Sequence, residues 1–573
     1  MTHDPTDGGL VVAPMDDLEL EAAGYKRAMP RQFSPWSLGA LAFTLTCTWL
    51  GAGSSVGISL TEASSAGTLW SLPIAGFMTM IVAAGMAELA SAYPVAGAQY
   101  YWSFMVASDK YKPFASFFNG WISIMGWWLG AASVANFVAS MILEIVTVWY
   151  SDFTPQHWQQ YLIYVALTWL AVVINVFGSG FLPLFNKMIF GLAVITLTST
   201  MITLFVVARN HHASGSEIFT DNTNRTGWSS DGWAFMLAIG NAVYSYLGSD
   251  CGAHLAEEID NPSKNVPKVI LYPLAMGLLT AFPFTAALMY SITDIKAVLT
   301  TVSGLPLIEI YHQGTGSYAA ASVLLAVFAF CFFANLVANG KAVVRYFPYR
   351  QPRLIRYSSD DLFTYALGCV SRQHIPIFAH MVSRASQVQD ACQRHDAFWD
   401  LHFGQWIICS PLKRSIYGVI FIGSSTAFAA MVSAAIIFQQ TSCIVPQAIL
   451  LYRGRDKVLP ERYFNPGRLG PFINAVAVAW VCFLNILYCF PTTMPVTPQN
   501  MSYVSVVTVG LVGFVVALWF TTKRGVFTGP KIDYDLLNER RNAALHSEVA
   551  VIDANSADGI STNDNNRDRK GDF

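Results

Sequence analysis

Two glycine-containing motifs lie inside long apolar stretches, where an opened backbone could bind a small solute. The first, Gly51 to Ser55, lies in the apolar stretch 38–58, and the second, Tyr246 to Asp250, lies near the centre of 233–255. A carboxylate at membrane depth costs at least ~2.5 kcal/mol on the mildest insertion scales, so it indicates a functional site. Gly51, Gly53 and Gly248 permit unwinding, which frees N–H groups at one helix end and carbonyls at the other. Such ends can hold a cationic solute with few charged side chains.

Aromatic side chains flank both motifs. Trp49, Tyr244 and Tyr246 could hold an ammonium group by cation–π attraction, worth up to ~2 kcal/mol when desolvated. Because aromatic residues form 14% of the chain, each could instead pack against a neighbouring helix. Close helix packing is likewise the alternative for the glycines. Asp250 could bind a cation or a proton, or it could cap the second half-helix.

Five further ionisable residues are candidates for proton coupling or gating. His254, one turn after Asp250, could share a proton relay or be a satisfied core residue. Lys187 begins an apolar stretch, and it could extend to the inner surface or titrate in place of a coupling cation. Glu88, Glu257 and Glu258 lie at predicted inner membrane boundaries. There they could pair with Lys or Arg as a gate, or remain solvated.

The elements that carry these residues are membrane-spanning helices. Hydrophobic residues form 54% of the chain and charged residues 12%, far from the balance of a soluble domain. Apolar stretches of about 20 residues, each long enough to cross a bilayer, occur at 38–58, 74–93, 114–146, 158–177, 182–207, 233–255, 269–292, 318–337, 425–452, 472–490 and 503–521. We number these predicted crossings in chain order as spans 1, 2 and so on. Two broken spans in corresponding halves are typical of a secondary transporter's binding site.

Composition also excludes other classes of function. The nine cysteines contain no C-x-x-C pair, and the sequence lacks metal-ligand spacing, nucleophile motifs and any basic nucleic-acid-binding domain. We therefore expect no enzyme activity, no cofactor, no metal and no nucleic-acid partner. The expected partners are a small-molecule substrate, protons and the lipid bilayer.

The distribution of basic residues predicts the orientation. With a cytoplasmic N-terminus, the predicted outside loops hold only Arg209, Arg225 and Lys296, and the remaining loop Lys and Arg fall inside. Both termini are then cytoplasmic, and we expect the plasma membrane. The outside loop 210–230 contains Asn224-Arg225-Thr226, a glycosylation acceptor pattern that makes Asn224 a candidate for modification.

The motifs together resemble the amino acid–polyamine–organocation permeases. Two segments carry this resemblance, 87–102 and 248–267. Four further segments resemble the fungal choline/GABA/amino-acid permease branch: 49–55, 304–311, 423–428 and 495–501. The resemblance implies about twelve transmembrane helices, arranged as two inverted five-helix repeats plus two, with helices 1 and 6 broken. It implies that Gly51, Gly53, Ser54 and Ser55 match the substrate-binding break of helix 1. Tyr246, Gly248 and Asp250 would match that of helix 6. Uptake of choline, GABA, other amino acids or polyamines, typically driven by protons, is the implied activity.

One segment departs from the family pattern. Residues 341–414 are polar and basic where an eighth helix should continue towards a ninth, which indicates either an inserted segment or a mistranslated one. The predicted organisation is a cytoplasmic tail at 1–35, helices 1 to 8 at 36–340, the basic insert at 341–414, a truncated helix 9 to helix 12 at 415–522, and a disordered cytoplasmic tail at 523–573. A damaged ninth helix leaves a second hypothesis open, a non-transporting nutrient sensor or defective paralogue.

Overall fold

The structure is a computed structural model of the whole chain. It describes residues 43–44, 46–150, 152–177, 182–259, 261–301, 305–346, 425–498 and 500–530. The predicted N-terminal tail, the predicted C-terminal tail from residue 531 onward, most of the basic insert and the predicted truncated ninth helix therefore lie outside the described residues.

The described part of the chain is built from helices and contains no strand, which confirms the all-α class. The α-helices are α1 Thr48–Ser54, α2 Val56–Ala92, α3 Ala98–Val106, α4 Lys112–Trp149, α5 His157–Phe177, α6 Leu182–Val207, α7 Gly215–Thr220, α8 Asp231–Val243, α9 Pro262–Ser291, α10 Ile295–Leu299, α11 Leu307–Thr315, α12 Tyr318–Tyr346, α13 Ser425–Arg453, α14 Arg455–Val458, α15 Gly470–Leu487 and α16 Val504–Leu518. Among the described residues, 8 helices are long and apolar enough to cross a membrane.

Spans 1 and 2 run through α1 and α2 as one nearly continuous helical path. The sequence predicts only some of the positions at which this path is interrupted. Cys47 takes a positive φ of 39° just before α1, and Ser55 separates α1 from α2. Gly51 and Gly53 themselves remain helical between these two points. Span 1 ends where Ala63 and Ser64 leave helical geometry, Ser64 with a φ of 51°, and span 2 follows inside the same α2.

Span 6 is broken at the predicted position. It begins as α8, which Ser230 caps by accepting a hydrogen bond from the Trp233 amide. It then tightens into a short 3-10 turn at Tyr244–Tyr246 and becomes extended at Leu247. Gly248 has a φ of 83°, which side-chain-bearing residues rarely adopt. A second 3-10 segment, Ala253–Glu258, completes the span.

The helices pack in two groups around this break. α2 lies against α8 and α9, whereas α4 lies against α12 and α13, with α3 wedged between α4 and α13. Because α2 crosses the molecule, it defines two ends. We call the end where α2 finishes the Glu88 end, and the end at the Ala63–Ser64 corner the Asp221 end, since Asp221 contacts Ser64 there.

Candidate functional site

A narrow cavity lies where the break in span 6 meets span 1, α4, α12 and α13. It measures about 40 Å³, which holds only a few water molecules. Its lining residues are Thr46, Cys47, Gly51, Gly126, Trp127, Gly130, Ala131, Val134, Tyr244, Leu247, Gly248, Phe332, Asn335 and Gln439. Three predicted site residues, Gly51, Tyr244 and Gly248, are therefore in the wall of one chamber, which we call the central cavity.

Glycines set how closely the backbones approach around the central cavity. A Cβ added to Gly51 would lie 2.6 Å from the Cα of Ser245, so span 1 touches the span 6 break backbone to backbone. A Cβ at Gly126 would lie 2.9 Å from the Gln439 nitrogen, so α4 and α13 are equally close. Side chains at these points would push the walls apart.

Asp250 lies behind the cavity wall and is fully buried. Its Oδ2 accepts hydrogen bonds from Gln99 Nε2 at 2.5 Å and Trp127 Nε1 at 3.3 Å, and its Oδ1 accepts from Gln439 Nε2 at 2.7 Å. His254 Nε2 lies 3.3 Å from the same Oδ2. We call these five residues the Asp250 cluster. Trp127 and Gln439 belong to both the cluster and the cavity wall, so the carboxylate is one side chain away from a solute there.

These contacts bear on the choice between binding and capping for Asp250. Its carboxylate is engaged by side chains from α3, α4 and α13, and the described N-terminus of the Ala253–Glu258 segment has no side-chain cap. A carboxylate that accepts several donors is stabilised as an anion. The Asp250 side chain therefore makes no capping contact among the described residues, and a charge-binding role stays a prediction.

The three predicted aromatic contacts separate into one cavity residue and two packing residues. Tyr244 lines the cavity, with its hydroxyl 3.0 Å from Ser133 Oγ. Tyr246 donates to the Leu72 carbonyl at 2.9 Å, away from the cavity. Trp49 is fully buried and packs edge-on against Phe284 and Phe328 at 5.4 and 5.2 Å between ring centroids.

The other predicted residues of the first motif turn away from the cavity or back onto their own helix. Ser54 and Ser55 both donate to the Gly51 carbonyl, at 2.9 and 3.0 Å. A Cβ on Gly53 would lie 2.8 Å from the Phe328 ring, so that glycine serves close packing. Binding roles for these three residues stay predictions, because only Gly51 of the motif lines the cavity.

His254 faces a hydrogen-bond acceptor from each ring nitrogen. Nδ1 lies 3.1 Å from the Ala96 carbonyl, and Nε2 lies 3.3 Å from Asp250 Oδ2. A neutral imidazole carries one N–H and so can donate to only one of them. The tautomer of the ring decides which acceptor receives that N–H.

Glu88 forms an ion cluster at the far end of α2, as the sequence hypothesis of a gate requires. Its Oε1 accepts hydrogen bonds from Arg455 Nη2 and from Arg462 Nε, the latter at 2.7 Å. Glu88 is fully buried, and both arginine side chains are 8% exposed. The cluster therefore ties α2 to the segment that follows α13.

The remaining candidates lie apart from the cavity. Lys187 is exposed near the start of α6, a position compatible with extension to a membrane surface. Glu257 and Glu258 lie in the 3-10 segment of span 6, and their side chains lie outside the described part. Asn224 already donates to the Trp228 carbonyl at 2.8 Å, while its Oδ1 accepts from the Thr226 amide. Glycosylation of Asn224, which stays a prediction, would replace one of the two Nδ2 hydrogens, which now bond the Trp228 carbonyl and Asp231 Oδ1.

Sequence reasoning missed the residues that complete the site. Gln99, Trp127 and Gln439 hold Asp250, and Phe332 and Asn335 line the cavity, yet they lie on four helices far apart in the chain. A polar amide in an otherwise apolar stretch, as at Gln439, is a usable signal because a buried amide needs a partner. The partner itself cannot be read from spacing alone.

Comparison with known proteins agrees with this architecture. The chain matches the amino acid permease family over residues 33–350 and 394–512, well over half of its length. The second matched segment resumes inside the basic region that departs from the family pattern in sequence.

Individual relatives are similar over most of their lengths. The chain is 27% identical to a choline transporter of Saccharomyces cerevisiae over 515 residues, which cover 89% of this chain and 85% of that protein. It is 28% identical to amino-acid permease 2 of Neurospora crassa over 531 residues, 90% of this chain and 89% of that protein. A 7-keto 8-aminopelargonic acid transporter of Saccharomyces cerevisiae is 25% identical over 538 residues, 83% of this chain and 90% of that protein. With its apolar helices and the break in span 6, this chain is an integral membrane transporter that belongs to the amino acid permease family.

Proposed function

We propose that this chain imports a small solute with a cationic nitrogen, an amino acid or an amine such as choline or GABA, across the plasma membrane. The observation that carries the proposal is the position of Asp250 directly behind Trp127 and Gln439 in the wall of the central cavity. The aromatic rings of Trp127, Tyr244 and Phe332 line the same space. Aromatic faces together with a nearby carboxylate attract an ammonium group.

The relatives support the same class of solute. Two of them are named for choline and for amino acids, both of which carry a cationic nitrogen at neutral pH. The described residues include no basic side chain in the cavity wall. A solute with only negative charge would therefore meet the Asp250 field without compensation.

Proton coupling is proposed at the His254–Asp250 pair. Both ring nitrogens of His254 face hydrogen-bond acceptors, and the pair adjoins the cavity wall through Trp127 and Gln439. A cationic solute beside Asp250 competes electrostatically with a proton held by that pair. Release of one when the other binds or leaves would link solute movement to the proton gradient.

Alternating access is proposed to use the Glu88 ion cluster as the inner gate. The cluster joins α2 to Arg455 and Arg462. Opening a path from the cavity at the Glu88 end would separate these charges. Orientation with both termini in the cytoplasm, which the basic loops favour, makes this the cytoplasmic side.

The test is uptake by the full chain in a fungal cell that lacks its own transporters for these solutes. Radiolabelled choline, GABA and common amino acids are offered singly and in competition, with and without a protonophore. Saturable uptake that collapses with the protonophore supports the proposal, and uptake that is insensitive to pH and protonophore contradicts the coupling. A Gly248→Val variant that reaches the membrane and transports like the parent would contradict the broken-span site. Binding without flux would select the sensor hypothesis.

A further inference from the structure

Glu62 is a buried acid that the proposed cycle does not yet use. It lies at the end of span 1, one residue before the Ala63–Ser64 corner, and is 2% exposed. Its Oε2 is buried and has no hydrogen-bond partner among the described residues. Asp250 and Glu88, by contrast, each hold donors. An ionised carboxylate without such donors is far more costly to bury than a neutral carboxylic acid.

The surroundings of Glu62 offer hydroxyl and amide groups, but these are committed elsewhere. Asn241 on α8 donates to the Ser59 hydroxyl at 2.7 Å and to the Ser55 carbonyl at 3.1 Å, on the turns of span 1 that precede Glu62. Tyr488, which interacts electrostatically with Glu62, donates its hydroxyl to the Gly240 carbonyl at 2.6 Å. The polar groups near Glu62 thus already have hydrogen-bond partners, and Glu62 does not take part in these bonds.

No counter-ion is in place for an ionised Glu62 in the part of the chain that the structure describes. Charged or titratable side chains in the loops and short helices packed against this part of α2 are Glu217, Asp221, Arg225 and Lys296. Those on the longer helices at this end are Asp231, Tyr290 and Tyr488. Arg225 donates its backbone amide to the Thr61 carbonyl, and its guanidinium donates to the Thr223 carbonyl.

The cover over Glu62 is a loop, residues 221–228, which we call the covering loop. It accepts a hydrogen bond at the Asp221 carbonyl from Ala66 and donates one from the Arg225 amide to the Thr61 carbonyl at 3.1 Å. The Asp221 carboxylate also accepts from the Ser64 hydroxyl. On its other side, the Thr226 carbonyl accepts from the Met494 amide at 2.6 Å. These bonds fasten the loop to residues on both sides of Glu62 in the chain and close the Asp221 end there.

We propose that Glu62 is a proton-binding site, protonated while the covering loop is closed and able to exchange its proton when the Asp221 end opens. The ligand is a hydrogen ion: a carboxyl O–H bond forms on Glu62 as one O–H bond of a hydronium ion breaks, and water is left. Water reaching Glu62 on opening stabilises the carboxylate, and closure requires the proton to return. Acidic medium therefore favours the closed Asp221 end, independently of the His254–Asp250 pair.

The protonation state is tested without transport, on the purified full-length protein in lipid nanodiscs. Infrared spectra in H2O and D2O report the carbonyl stretch of protonated carboxylic acids. We expect a Glu62→Gln variant to lose part of this band at neutral pH. The control is Glu217→Gln, which should leave the band unchanged, because hydrogen bonds from the Ser214 amide and hydroxyl lower the pKa of the Glu217 carboxylate. A band of parental size in a Glu62→Gln protein with the parent's size-exclusion profile would show that Glu62 is ionised and would overturn the proposal.

Exchange of the proton is tested by uptake, and this arm rests on the proposed transport function. With whichever solute of the choline, GABA and amino-acid panel is taken up, Glu62→Gln should flatten the pH dependence of the external KM. Glu217→Gln, at an exposed carboxylate that accepts a hydrogen bond from the Ser214 amide, should keep the parent's profile. If Glu62→Gln keeps the parent's pH dependence of KM, the proposed proton exchange at Glu62 is overturned, while the proposed coupling at His254 is unaffected. If the parent itself shows no pH dependence, coupling fails, and the infrared result alone decides the protonation of Glu62.

Discussion

Gln439 donates to Asp250 Oδ1 at 2.7 Å and lines the central cavity with the same side chain. This places a neutral amide between the buried charge and the space that a solute would occupy. A solute amine can approach Asp250 by displacing the amide or by stacking beside it. The contact therefore controls how strongly the buried charge is felt in the cavity.

Replacing Gln439 should weaken solute binding. In Gln439→Ala, Oδ1 of Asp250 loses its donor, and an unsatisfied buried acceptor costs about 1–3 kcal/mol. We expect KM to rise about tenfold, which corresponds to ~1.4 kcal/mol. The matched control is Gln440→Ala, which removes a neighbouring buried glutamine without touching Asp250. Equal rises in KM for the two variants would contradict the role assigned to Gln439.

Adding one methyl group at Gly51 should abolish uptake. A Cβ there would lie 2.6 Å from the Cα of Ser245, and backbone cannot move aside as a side chain can. Overpacking of this kind costs about 1–3 kcal/mol and separates span 1 from the span 6 break. Gly191→Ala on α6 is the control, since a Cβ there meets nothing within 4 Å. Uptake and thermal stability of both variants are measured, and a fully active Gly51→Ala protein would count against the close contact.

Neutralising Glu88 should loosen the Glu88 end. Arg455 and Arg462 would lose their shared partner, and breaking a buried ion pair by removing one member destabilises by about 3–5 kcal/mol. Because the arginines are partly exposed, we expect a cost below this range. Thermal stability should still fall clearly, and a cysteine placed at the buried Val95 should be labelled faster by a thiol reagent in permeabilised cells. Glu461→Gln, in the same loop but exposed, should label at the parent's rate. Identical labelling of both variants would remove Glu88 from the gate.

Tyr244 and Tyr246 should respond differently to loss of the hydroxyl. Tyr246→Phe loses one hydrogen bond, to the Leu72 carbonyl, and should lower stability by about 1 kcal/mol without changing KM. Tyr244→Phe alters the cavity wall next to Ser133 and should change KM or solute preference. Measured KM values and melting temperatures separate the two, and the reverse pattern would show that Tyr246 is the cavity residue.

The sequence predicts the main features of this site where a residue type dictates backbone geometry. Gly248 at the centre of an apolar span predicts the break, because a positive φ there needs glycine. The interruption at Cys47 could not be predicted, since cysteine carries no preference for positive φ. The glycines of the first motif predict close approach or unwinding, and at Gly51 the structure shows close approach within a helix.

The sequence could not predict which residues contact one another across the fold, and the physical reason is different. Asp250 and Gln439 are separated by 189 positions along the chain, and no periodicity within either span specifies which faces meet. The arginine contacts of Glu88 agree with the pairing that the sequence suggested, because a carboxylate at a predicted boundary needs a cation and basic residues are concentrated in the loops of that side. A gating role for Glu88 stays a prediction. Glu62 was overlooked because it lies between the predicted apolar stretches 38–58 and 74–93, outside both.

Helix α3 connects the buried Asp250 cluster to the end of α13. Gln99 near its first turn holds Asp250, and the carbonyls of Val106 and Ala107 at its other end accept hydrogen bonds from Arg453 at 3.1 and 2.9 Å. Nine helical residues span about 13 Å and bend little. A shift of Asp250 would therefore be transmitted through the rigid helix α3 to Arg453 at the end of α13, and from there to the Glu88 end, without any segment having to refold.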